Sequence, residues 1–79
     1  MPEGLAAAVA EQIRRLMLAH NVSGNALAGA TGIPQRNISR KLKGESDFGL
    51  DEVQRIAEHF GVDPEDLVAW ARRGVHSSE

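Results

Sequence analysis

The chain has no cysteine and no tyrosine, and with one tryptophan and two phenylalanines aromatic residues make up only 4% of its 79 positions. Without cysteine there is no disulfide staple, and zinc sites built on thiolate are excluded. No apolar run approaches the ~18 residues that a membrane-crossing helix needs. The apolar stretch Leu5-Ala6-Ala7-Ala8-Val9-Ala10 follows Glu3 instead of a basic region and runs straight into Glu11, so it does not read as an export signal. Low-complexity segments and internal repeats are absent as well. These absences point to the cytoplasm and away from a membrane.

Catalytic chemistry is poorly supplied. His20, His59 and His76 are scattered, and no pair has metal-ligand spacing with a third ligand nearby. Ser23 and Ser39 have no histidine partner at helical spacing and show no nucleophile pattern. A chain of this length makes one domain, and an active-site cleft of ordinary volume is hard to build in so small a core. The expectation is a binding module: no enzyme, no cofactor, no metal, no small-molecule substrate. Met1 reads as a natural start, whereas the polar end fits either a natural terminus or a cut before a second domain.

Charge is unevenly placed. The formal net charge is −2, which by itself argues against an anionic partner. In residues 1–22, Glu3 and Glu11 balance Arg14 and Arg15. Residues 23–43 hold Arg36, Arg40, Lys41 and Lys43 and no acid, and the remaining acids lie downstream. The local field, not the net charge, decides which face meets an anion. A short basic run is also compatible with an ordinary solvated helix face.

Prolines and glycines divide the chain into helix-sized pieces, and no window alternates as a strand would. The first helix, 5–20, carries Leu5, Val9, Ile13, Leu16 and Met17 at three- and four-residue spacing, and Asn21 stops it. Ser23 caps a short second helix, 24–30, with Leu27 and Ala28 inward and Gly32 at its end. Ile33 is buried, and Pro34 opens a third helix, 34–43, with Ile38 and Leu42 as its apolar edge and Gly44 as its stop. Phe48, in the following loop, is read as a core residue, with an exposed wedge as the alternative. The fourth helix, 50–60, turns Leu50, Val53, Ile56, Ala57 and Phe60 inward. Asp63-Pro64 opens a fifth, 64–73, with Leu67, Val68 and Ala71 inward and Gly74 as its stop. Residues 1–74 form the domain and 75–79 a disordered tail.

Residues 23–44 describe a helix-turn-helix: a short helix, a tight turn at Gly32, and a second helix with a wide polar face. The run Ser23-Gly24-Asn25-Ala26-Leu27-Ala28-Gly29-Ala30-Thr31-Gly32-Ile33 is similar to the first half of that motif in lambda-repressor-like domains, the Cro/repressor (Xre) family. Ile38-Ser39-Arg40-Lys41-Leu42-Lys43-Gly44 resembles the end of the family's recognition helix. Leu50-Asp51-Glu52-Val53, Ile56-Ala57, Phe60-Gly61-Val62 and Leu67 resemble its fourth and fifth helices, so the likeness spans about residues 9–69.

The resemblance implies an all-α, five-helix bundle that binds double-stranded operator DNA, often as a homodimer, with the third helix in the major groove. It implies a transcriptional regulator, most simply a repressor of phage or prophage type in a bacterial cell or phage-infected host. Gln35, Arg36, Ser39 and Arg40 become base readers, and Ser23, Asn25, Asn37 and Lys43 become phosphate contacts. Their chemistry suits these roles, since arginine bridges guanine O6 and N7 and glutamine bridges adenine N6 and N7. Two departures stand out. Gly24 replaces a glutamine common in the family, and Glu45 and Asp47 place acid after the recognition helix. Several residues keep two readings. Arg14 and Arg15 touch phosphate or pair with acids of the fourth helix. Lys41 either contacts DNA or lays its stem along the apolar seam. Trp70 fills the core or serves a subunit contact. The acidic half and Trp70 also suit a protein-interaction module on the same fold, antitoxin-like or co-regulatory.

Overall fold

The core begins at the apolar stripe of the first helix and takes one fully buried aliphatic side chain from each element. In the computed structural model, which describes residues 4–73, the elements run α1 (Leu5–His20), α2 (Gly24–Thr31), α3 (Gln35–Leu42), α4 (Leu50–Phe60) and α5 (Pro64–Arg73). No strand occurs among the described residues. Ile13, Leu27, Ile38, Ile56 and Leu67 are the five large side chains wholly withdrawn from solvent, one per helix. Val9, Leu16, Val53, Ala57 and Phe60 extend this core, and Ile33 and Phe48 enter it from the connecting segments. α1 packs along α5 and also meets α3 and α4, whereas α2 sits between α3 and α4.

Helix ends follow local chemistry. Three helices stop by the same device: a residue at positive φ, then a residue whose N–H reaches back five positions. Asn21 (φ 58°), Gly44 (φ 88°) and Gly61 (φ 74°) supply the left-handed residue. Val22, Glu45 and Val62 then donate to the carbonyls of Met17, Arg40 and Ala57 at 2.8, 3.0 and 2.9 Å. In α2, Ser23 caps the start, its Oγ accepting from the Ala26 N–H at 3.1 Å.

The structure moves several boundaries and faces. α2 continues one residue further, through Thr31, whose hydroxyl donates to the Leu27 carbonyl at 2.8 Å. Pro34 lies outside α3, at φ −56° and ψ 138°, and its carbonyl accepts from Asn37 and Ile38. It therefore caps the helix instead of beginning it, and Lys43 is a cap at the other end. Leu50 is 86% exposed, not inward, because Phe48 two residues earlier enters the core in its place. Gly74 and the tail 75–79 lie outside the described residues.

α3 spans only eight residues, too few for a stable isolated helix. Ile38 is its one fully buried side chain. Ile38→Ala should therefore cost about 2–5 kcal/mol. A domain of this size has a total stability on the order of 4–12 kcal/mol. Urea denaturation followed by circular dichroism should show the midpoint falling steeply, with substantial unfolding at 37 °C.

Candidate nucleic-acid interface

The buried edge of α3 determines which of its residues reach solvent. With Ile38 inward, Arg36, Arg40 and Lys43 fall at i, i+4 and i+7 on the opposite face, and all three are exposed. Gln35 and Ser39 form the adjoining row, Gln35 exposed and Ser39 half-buried. Asn37 is half-buried on the other flank. Ser23 and Asn25 are exposed at the start of α2. The eight positions singled out from sequence thus lie on two neighbouring short helices.

The departure at Gly24 has a geometric counterpart. A Cβ on Gly24 would stand 3.4 Å from Gln35 Nε2, so the Gln35 amide rests against the first turn of α2. The space that a longer side chain at 24 would occupy is filled from the opposite helix. Ser23 accepts the Ala26 N–H and retains its own hydroxyl proton for an outside acceptor. The amides of Gly24 and Asn25 have no carbonyl within the helix to bond. Together with the helix dipole, they suit an anion at this end.

The basic residues divide by partner. Lys41 turns away from the exposed face: its Nζ lies 2.7 Å from Glu52 Oε1 and 6.0 Å from the centre of the Phe48 ring. Lys41 and Glu52 are largely covered, so this contact ties α3 to α4. Arg14 and Arg15 pair with Glu11 of their own helix, not with acids of α4. Arg14 also donates to the Leu42 carbonyl, clamping the end of α3 to α1. Arg40 meets Glu45 of the following loop, Nε to Oε1 at 3.5 Å. Sequence reading did not anticipate the Lys41–Glu52 or Arg40–Glu45 contacts. The second had a signal: charges of opposite sign lie five positions apart across a helix-stopping glycine.

Glu52 serves two elements at once. Its carboxylate accepts from Lys41 and from the Gly49 N–H, the latter at 2.8 Å. The Gly49 contact is half of a capping box, since glycine has no side chain to reciprocate. Burial pushes the Glu52 carboxyl up, but the Lys41 and Gly49 hydrogen bonds and the charges of Lys41 and Arg55 outweigh it, holding it below the ordinary carboxylate range. A depressed value means the folded state favours the ionised form. Its stabilisation is complete above the unfolded value of about 4.3 and is lost as pH falls through the folded value. Denaturation midpoints of the native chain should therefore drop more steeply on acidification below about pH 4.3 than those of Glu52→Gln. The variant should also lose about 1 kcal/mol at neutral pH. Parallel pH profiles would show that the contact is not formed in solution.

Among the described residues no group of side chains could hold a metal ion, and no helix is long and apolar enough to cross a membrane. No curated protein and no solved structure gives a significant match. A scan against protein families matches residues 12–71 to the Cro/C1-type HTH DNA-binding domain. That stretch contains the whole of α2, α3 and α4, most of α1 and nearly all of α5. With the match covering well over half of the chain and including every residue of the exposed basic face, the protein belongs to the Cro/C1-type HTH DNA-binding domain family.

Proposed function

We propose that the chain is a transcriptional regulator of phage or prophage repressor type, reading operator DNA in the cytoplasm with α3 in the major groove. The observation that carries this is the outer face of α3. Arg36, Arg40 and Lys43 project from a helix that has no acid of its own. Gln35, Arg36, Ser39 and Arg40 read base edges, and Ser23, Asn25, Asn37 and Lys43 hold the backbone. The DNA-binding unit is residues 1–74.

The unit acts as a homodimer, each copy placing one α3 in a half-site. A groove of about 620 Å³ between α4 and α5, lined by Leu50, Val53, Val68 and Ala69, supports a contact between protein chains. Trp70, half-buried on α5, belongs to the same helix. The groove equally favours the second reading, an interaction module that binds a different protein.

Selection from a random double-stranded DNA pool separates the two readings. A regulator should enrich one motif, two-fold symmetric if the unit is dimeric. The affinity of the winning duplex should fall with salt, and replacing Lys43, the cation assigned to the phosphate backbone, by alanine should make the log–log slope shallower by about 0.9 per subunit. Replacing Arg36 and Arg40 together by alanine should remove the sequence preference while the helical signal persists, each arginine accounting for about 1–3 kcal/mol of discrimination. Absence of any enriched motif would favour the interaction module.

A further inference from the structure

The three helix stops share one backbone pattern but differ in one side-chain pair. The residue after the left-handed position comes to lie near the residue five before it, and an apolar contact there is the usual accompaniment. α1 follows this rule with Met17 and Val22, and α4 follows it with Ala57 and Val62. α3 breaks it, with Arg40 and Glu45 at the equivalent positions. Glu45 is therefore not a loose loop acid. Gly44 at φ 88°, the Gly44 N–H to Lys41 carbonyl bond at 3.1 Å and the Glu45 N–H to Arg40 carbonyl bond at 3.0 Å hold its backbone beside Arg40.

The pair contributes little to folding. Both side chains are 55% exposed, and ion pairs in such positions add little stability. An apolar residue would complete the helix stop better, as Val22 and Val62 do. Its consequence lies in what it does to Arg40. Arginine carries five N–H donors, one on Nε and four on the terminal nitrogens. The Glu45 carboxylate stands on the Nε edge, 3.5 Å away, which leaves the terminal edge open. That edge is the one that can bridge guanine O6 and N7 end-on. A carboxylate beside Arg40 also repels phosphate, so the guanidinium is less readily captured by the DNA backbone.

We infer that Glu45 is a positioning residue for DNA recognition: it holds Arg40 end-on toward a base and lowers affinity for non-cognate DNA. The inference rests on the proposed reading of Arg40 as a base contact.

The test uses the full chain, the duplex won from the random pool, its single-base-pair variants and one mixed-sequence duplex. Affinities are compared for the native chain, Glu45→Gln, Glu45→Val, Arg40→Ala and the Arg40→Ala/Glu45→Gln double variant. Glu45→Val puts valine where the other two stops carry Val22 and Val62, so its helix stop is secure. Both Glu45 variants should bind the mixed sequence several-fold more tightly. Both should lose about three- to tenfold in discrimination at the base pair that Arg40→Ala identifies, and at no other. The double variant should discriminate no worse than Arg40→Ala alone.

Discrimination unchanged at that base pair in both Glu45 variants would overturn the inference while leaving Arg40 as a reader. So would an equal gain for every sequence that persists without Arg40, since Glu45 would then act only through the general field. If Arg40→Ala loses discrimination at no base pair, the reading of Arg40 itself fails.

Discussion

The burial of Ile38 is the contact on which the exposed basic face of α3 depends. α3 has eight residues, a strongly polar composition and a single wholly buried side chain. Helices so short do not persist alone in water, so packing must supply the order. Ile38 sits in the core with Leu27 of α2 and Ile33 of the turn. With that edge inward, the helical repeat dictates that Arg36, Arg40 and Lys43 face solvent. Two polar contacts secure the orientation: Lys41 to Glu52 on α4, and Arg14 to the Leu42 carbonyl from α1.

The same arrangement reconciles a net charge of −2 with an anionic ligand. The basic residues of the chain are not equivalent. Lys41 is spent on holding two helices together, and Arg14 and Arg15 share the single carboxylate of Glu11. Arg36 and Lys43 stand on the exposed face, and Arg40 stands there beside a carboxylate. The cationic field on α3 is thus small and local, which favours contacts that depend on geometry over contacts that depend on bulk charge.

Much of this was legible in the chain. Asn21, Gly32 and Gly44 marked helix ends because left-handed backbone is open to few residue types, and each takes positive φ. Ser23 announced a cap, and the spacing of Ile13, Leu27, Ile38, Ile56 and Leu67 announced the core. The misreadings concern tertiary choice and the local chemistry of helix ends. Periodicity placed Leu50 inward, but Phe48 from the loop enters the core instead. Pro34 suited a first helical position, yet its carbonyl serves as the cap. For Arg14, Arg15 and Lys41, composition allowed several partners, and only the assembled helices select Glu11 and Glu52. The basic face itself was visible. Which of its arginines stands alone and which has a carboxylate beside it was not.

The most direct test of α3 as the reading surface is a titration of the isotopically labelled chain with its selected duplex, followed residue by residue in backbone amide spectra. If α3 enters the major groove, large shifts should appear throughout residues 23–45. Large shifts along Leu50, Val53, Val68 and Ala69 with α3 unmoved would contradict that placement.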